Sequence, residues 1–386
     1  MQQRAEHIAN RAMYEKIRPY DDRQTAEALK RASGNHLIEQ ISAFLFPGKD
    51  PDILKNTLNT ITGVDDFQTR VMFPAVRSII AKTTKGVTFD GLRHFRDGKR
   101  HLMLSNHRDI VLDPAFIQYI FKDNDLPWSE IAVGDNLISN QFIEDLMRSN
   151  RMITVVRSSN PREVYQTSIE LSSYIRTRVS GENPSSIWIA HRNGRTKNGD
   201  DRTEQGLLKM LSMSGSGNFV ENMSELSIMP VSISYELETC AIQKAYEVYL
   251  KEIFGKYIKR PGEDMKSIIT GIIQDKGRVH ISFCKPITVG ELEECDKLEK
   301  NDKFRKLAEI IDDRILGGYR IWPSNEAAAA MVSGSTPDDA DAYRWFEGYL
   351  ERRMKEISDI SDPGRVRQIL IKIYANPALR KNGAQV

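Results

Sequence analysis

The stretch His101-Leu102-Met103-Leu104-Ser105-Asn106-His107-Arg108-Asp109-Ile110-Val111-Leu112-Asp113-Pro114 decides how this chain reads. Its first five residues form an apolar run of the length of a buried strand, and Asp113-Pro114 heads an apolar-periodic stretch that reads as a helix. A histidine and two carboxylates lie in the crossover between them. In open α/β sheets, chemistry gathers at the carboxyl ends of strands. Imidazole is also the side chain best suited to take a proton near neutral pH. A general base with no side-chain nucleophile at hand points to direct attack by a substrate hydroxyl or amine.

The same rhythm extends outward from this stretch. From about residue 85, apolar runs at 101–105, 130–133, 152–156, 186–190, 227–234 and 279–284 alternate with helix-like stretches that include 138–149, 161–179, 203–213 and 240–255. This alternation predicts an α/β fold, a mostly parallel central sheet flanked by helices. Residues 1–84 read as a helical N-terminal region broken near Pro47-Gly48 and Gly63, 85–297 as the α/β domain, and 298–386 as a helical C-terminal region with a looser segment at 333–338. There is no internal repeat, and low complexity is confined to Ala327–Ala330 and the Lys381–Val386 tail.

At 386 residues the chain is long enough for two or three packed units, taking roughly 150 residues per domain. A formal charge of +2 is too small to argue for nucleic acid. The three cysteines, Cys240, Cys284 and Cys295, form no CxxC pair, so they read as thiols in a reducing compartment rather than a disulfide frame or zinc site. No apolar run approaches the roughly 18 residues that span a bilayer, and the start is polar. The expected location is cytoplasmic, with peripheral contact on the inner face of the cytoplasmic membrane left open. Phe44-Leu45-Phe46-Pro47 and Val71-Met72-Phe73-Pro74-Ala75-Val76 are the apolar patches that bear on it. Packing of N-terminal helices is the favoured reading of both, and monotopic anchoring the other.

Four blocks carry the chemistry, each near the end of an expected strand. In the first, His107 is the general base and a carboxylate holds its other ring nitrogen. Asp113 is the favoured orienting acid, although Asp-Pro is also a good helix start, and Asp109 is the runner-up. His107-Arg108-Asp109 mimics a kinase catalytic loop, but Pro114 stands where that pattern wants Asn, and no glycine-rich loop or Asp-Phe-Gly accompanies it. The second block is Gly134-Asp135-Asn136-Leu137, followed by a strand that exits at Arg157, whose guanidinium suits a phosphate or carboxylate. The third, Ile187 through Gly199, runs a buried strand into a loop with Arg192, Gly194, Arg195 and Lys197, an anion cradle of cations and open backbone amides. The fourth, Ile228 through Glu236, has Pro230 inside a strand, which predicts an edge or pocket-lining position.

In order and spacing these blocks resemble the glycerolipid acyltransferases, the glycerol-3-phosphate and lysophosphatidate acyltransferase superfamily, over roughly residues 95–240. The His-x4-Asp block corresponds to His107 through Asp113, the Glu-Gly-x-Arg block to Arg192-Asn193-Gly194-Arg195, and the Val-Pro block to Met229-Pro230-Val231. Pro230 through Glu236 looks most like the larger bacterial glycerol-3-phosphate acyltransferases. Two departures stand out. Five residues separate His107 from Asp113 where the family has four, and Arg192 stands where the family has glutamate.

The resemblance implies that His107 deprotonates an acceptor hydroxyl, which attacks an acyl thioester of coenzyme A or an acyl carrier protein. Oxyanion donors are expected among backbone amides near the helix start. Arg157, Arg192, Gly194, Arg195, Lys197 and Pro230 are the implied substrate-binding residues, with the acceptor's phosphate on Arg157, Arg195 and Lys197. No metal or cofactor is called for beyond the acyl thioester as co-substrate. The altered third block also admits acylation of an amino-acid lipid head group, or a catalytically inactive lipid-binding relative.

Overall fold

The computed structural model describes residues 13–357 and 361–383. One sheet contains β1 (Val87–Asp90), β2 (Leu102–Ser105), β3 (Glu130–Gly134), β4 (Met152–Val155), β5 (Ile187–Ala190), β6 (Ile228–Tyr235) and β7 (Val279–Phe283), in the order β1-β7-β6-β2-β5-β3-β4. The pairings are parallel except β6 with β7, so the β1–β7 pair runs against the rest. Six of the strands coincide with the apolar runs. β1, Val-Thr-Phe-Asp, was not visible as one because three of its four residues face solvent.

Every residue of β2 and β6 is buried, since helices cover both faces of the sheet. On one face Leu102, Leu104, Ile187, Ile189 and Ile228 meet Leu171 and Ile175 of the helix Pro161–Ser180, and Ile311 and Ile315 of the helix Lys300–Gly318. On the other, Met103, Trp188, Met229, Val231 and Ile233 meet Phe116, Ile117 and Ile120 of the helix Leu112–Asp123, and Val76 and Ile79 of the helix Phe73–Thr83. Neighbouring residues of each strand thus serve opposite cores, the period of two that a strand imposes.

Pro230 corrects the edge-strand expectation, because β6 is an interior strand between β7 and β2. The β6–β7 ladder begins only at Val231↔Phe283. Below it, the carbonyls of Ile228 and Pro230 accept from the backbone nitrogens of Ile287 and Cys284, so Pro230 stands where that ladder has not yet started. A missing N–H is tolerated there.

The helices Pro323–Ser333, Ala340–Met354 and Pro363–Lys381 pack with the helix Ala241–Phe254 around Phe346, Leu350, Leu370 and Tyr374. The helices Asp22–Ala32 and Ile53–Leu58 close over Phe67, Val71 and Phe142. Val71 is buried there, Ala75 is buried and Val76 packs on the sheet, and exposed Phe44 carries Lys82 Nζ 5.1 Å from its ring centre. The Val71–Val76 patch is therefore used for packing. Among the described residues, no helix is long and apolar enough to cross a membrane.

Candidate active site

β2 delivers Asn106 and His107 at its carboxyl end, and the loop after β5 closes on them. His191 N donates to Ser105 O (2.8 Å), and Thr196 N to His107 O (2.9 Å). Asn106 completes the seam to β6. Its amide donates to Ile233 O (3.0 Å) and accepts from Ile233 N (2.8 Å), as another strand residue would.

His107 Nδ1 lies 2.8 Å from Asp113 Oδ2. The same oxygen accepts from the backbone nitrogens of Arg108 (2.6 Å) and Asp109 (3.0 Å), and Asp113 Oδ1 accepts from the Tyr235 hydroxyl (2.8 Å). A carboxylate so placed only accepts, so the Nδ1 of a neutral His107 carries the proton and Nε2 keeps its lone pair. The Trp188 ring stands edge-on to the imidazole, with centroids 5.5 Å apart, and Trp188 Nε1 donates to Ser105 Oγ.

Asp109 does a different job. Its Oδ1 accepts from Val111 N (3.0 Å) and Leu112 N (2.9 Å), capping the helix that begins at Leu112. The additional residue of this block is absorbed in the 108–111 turn, and Asp113 still reaches His107. Because the amides of residues 108, 109, 111 and 112 are all spent on these two carboxylates, they are not open donors for an oxyanion. That corrects the expectation placed on the helix start.

Behind the turn lies a set of buried charges that sequence reasoning missed. Arg108 is 1% exposed and reaches Asp201 Oδ2 (2.5 Å) and Glu238 Oε2 (3.4 Å), with its guanidinium 5.4 Å from the Tyr319 ring centre. Lys244 Nζ donates to Glu238 Oε1 and to Arg108 O (2.6 Å), a carbonyl that also accepts from the Thr239 hydroxyl (3.1 Å). Burial opposes the charge on Arg108, but Asp201 and Glu238 outweigh it and raise its pKa. Burial likewise opposes ionisation of Asp201, yet Arg108 holds its carboxyl below the usual range. The two cations and two carboxylates cancel, which makes their burial tolerable. Nothing local marked these residues, whose partners lie 93 and 130 positions away in the chain.

The second block and Arg157 come together. Arg157 is exposed, its backbone nitrogen donates to Asp135 Oδ2 (3.1 Å), and its Nε lies 2.7 Å from where a Cβ on Gly134 would stand. Only glycine leaves the guanidinium that place. Asn136 Nδ2 donates to Asp264 Oδ2 (3.2 Å), which links this corner to Arg195 through the Coulombic influence of Arg195 on Asp264. Arg195 is buried with Nη1 unpartnered, and the half-buried Arg192 has an unpartnered, buried Nε. Gly194 turns the loop between them at φ +73.

Two implied site residues stand elsewhere. Lys197 Nζ is taken up by Glu247 Oε2 (2.5 Å), and burial together with Arg195 lowers its pKa to about 8. Pro230 alternates with Met229 and Val231, so its ring belongs to the sheet face opposite Trp188 and Tyr235, which carry the site.

Also at the β5 exit, His191 is fully buried, its Nδ1 lies 3.2 Å from Thr203 Oγ1, and burial depresses its pKa to about 4. Its neighbour Asp312 is pushed up to about 6 by burial. No three His, Cys, Asp or Glu side chains cluster as a metal site among the described residues. A cleft of about 790 Å³ opens between residues 319–342 and 378–382, and none of the expected site residues lines it.

Comparison with known proteins bears on this arrangement. Residues 86–234 match the family model described as Acyltransferase, a span that holds His107, Asp113, Arg157 and Arg195. No curated protein matches the chain. Among solved structures, the 1-acyl-sn-glycerophosphate (LPA) acyltransferase PlsC from Thermotoga maritima is similar at 10% identity and a TM-score of 0.39, over 76% of this chain and 93% of that one. A likeness at that score adds no weight to the assignment. Residues 86–234, which hold the His107–Asp113 pair, are similar to the Acyltransferase family and form an acyltransferase-like domain of this chain.

Proposed function

We propose that this acyltransferase moves a fatty acyl group from a thioester of coenzyme A or an acyl carrier protein to a hydroxyl of glycerol-3-phosphate or lysophosphatidate. The observation that carries the reading is the His107–Asp113 pair, with Nε2 left open, joined through Thr196 to the loop that holds Arg195 and its unpartnered Nη1. His107 Nε2 takes the acceptor's hydroxyl proton as that oxygen attacks the thioester carbonyl. The C–S bond then breaks, and the departing thiolate takes the proton back from the imidazolium. Asp113 holds the ring and its tautomer throughout. With the helix-start amides occupied, the unpartnered N–H groups of Arg192 and Arg195 offer donors for developing charge or for a phosphate.

Arg192 in the family's glutamate position supports one other acceptor, an amino-acid lipid head group. The test is a thiol-release and lipid-product assay offering coenzyme A and carrier-protein thioesters against glycerol-3-phosphate, lysophosphatidate and amino-acid acceptors. The proposal expects product with a phosphorylated glycerol acceptor, and loss of that product in His107→Ala and in Arg195→Gln. Product with an amino-acid acceptor that survives Arg157→Gln and Arg195→Gln would replace it with the second reading.

A further inference from the structure

The segment 253–273, between β6 and β7, shows solvent a set of large apolar side chains that the catalytic reading does not use. Phe254 is 69% exposed and Ile258 72%, at the end of one helix and on the loop after it. In the helix Glu263–Ile273, Met265, Ile269 (51%) and Ile273 (55%) recur every fourth residue and form a stripe on its outer face. The inner face, with buried Ser267 and Gly271, presses on the site. A Cβ on Gly271 would stand 2.2 Å from Asp109 Oδ2, and Ser267 O accepts from Cys240 Sγ (3.3 Å).

This is a built surface. Gly255 and Gly262 turn the chain at positive φ on either side of the loop, and Glu263 Oε2 accepts from the Tyr257 hydroxyl (2.6 Å) and from Arg260 N (3.1 Å). The acids of the segment are thereby occupied, with Asp264 bound by Lys259 (2.5 Å) and Asn136. Lys256, Arg260 and Lys266 are exposed and pair with no carboxylate among the described residues. Bulky apolar side chains stand out from the surface with unpaired cations interleaved between them.

We infer that residues 253–273 dock the protein on an anionic lipid bilayer, with Phe254, Ile258 and Ile269 entering the acyl boundary and Lys256, Arg260 and Lys266 on the headgroups. An acidic carrier protein is the less favoured occupant, because the apolar residues protrude rather than line a concave seat. Docked this way, the helix that backs the His107 turn lies at the lipid surface, where acyl chains are held. The inference goes beyond the proposed acceptor and needs only a fatty acyl substrate.

The test is sedimentation of the full chain with vesicles of phosphatidylcholine alone and of phosphatidylcholine with phosphatidylglycerol. Thioester turnover on a soluble acyl donor is measured alongside. Wild type is expected to bind the anionic vesicles and to be released by salt. The triple variant Phe254→Ser/Ile258→Ser/Ile269→Ser loses that binding by roughly tenfold or more while retaining turnover. Reversal of Lys256, Arg260 or Lys266 to Glu costs roughly fivefold each, on anionic vesicles only. Vesicle binding unchanged in the triple variant overturns the inference. So does a wild type that ignores vesicles, or that binds only an acidic acyl carrier protein through these residues. In each case retained turnover leaves the proposed function standing.

Discussion

Asp113, not Asp109, faces the histidine: its Oδ2 lies 2.8 Å from His107 Nδ1, although the block is one residue longer than the family's. Asp113 accepts four hydrogen bonds in all, and Asp109 only caps the helix. Asp113→Asn must turn an N–H toward one of these donors, so turnover is expected to fall by about 10²-fold or more, with its pH optimum displaced. Asp109→Asn keeps an oxygen for the cap and is expected to lose roughly 1 kcal/mol of stability, with turnover within severalfold of wild type. Steady-state rates and thermal melts on the two variants decide it, and equal losses of turnover would refute the assignment.

The buried quartet of Arg108, Asp201, Glu238 and Lys244 is neutral as a set. Lys244→Met leaves one carboxylate in excess and is expected to cost about 3–5 kcal/mol of stability. Adding Glu238→Gln restores neutrality, so the double variant should be more stable than Lys244→Met alone. A denaturant-unfolding double-mutant cycle measures the coupling. Simple additivity would show that the four charges do not act as a unit.

Gly134→Ala separates site geometry from stability. The atoms nearest to the new methyl are Asn136 Oδ1 (2.5 Å) and the Arg157 guanidinium (2.7 Å to Nε), both ends of flexible side chains. The melting temperature should therefore hold while Arg157 is pushed aside, and KM for a phosphorylated acceptor should rise several-fold with kcat little changed. If KM for the acceptor does not move, Arg157 has no part in binding it.

His191 and Asp312, 3.9 Å apart, oppose each other in acid. Folded His191 stays neutral down to about pH 4 while an unfolded histidine takes its proton near 6.5, so this group makes stability rise with pH across that window. Folded Asp312 holds its proton up to about 6 while an unfolded aspartate loses it near 3.9, so it makes stability fall with pH over the overlapping range. The two slopes offset each other between about pH 4 and 6 in wild type. Asp312→Asn should expose the rising slope of His191, about 1.4 kcal/mol per pH unit relative to wild type, and His191→Gln the falling one. Urea unfolding across pH 4 to 7 reads both. Parallel pH profiles in all three proteins would contradict the assignment.

Much of the fold that carries the candidate site was legible in advance. Strands buried on both faces leave continuous apolar runs, and their neighbours carry helical spacing, so β2, β5 and β6 could be read directly along with His107 and the third block. β1 could not, since its side chains face water. Pro230 misled because proline reports a missing N–H but not where the neighbouring ladder begins.

Lys197 was expected to hold the acceptor's phosphate, but its ammonium is paired with Glu247, 50 positions away. Arg108 drew notice only through its likeness to a kinase loop, yet it is among the most buried of the described side chains. By itself, the sequence determined the alternation of strand and helix and the histidine at a strand's end, because periodicity and turn chemistry are local. Only the tertiary structure decided which aspartate meets that histidine and which charges neutralise Arg108. Those pairings depend on how a turn closes and on partners brought from distant strands and helices, which no local pattern encodes.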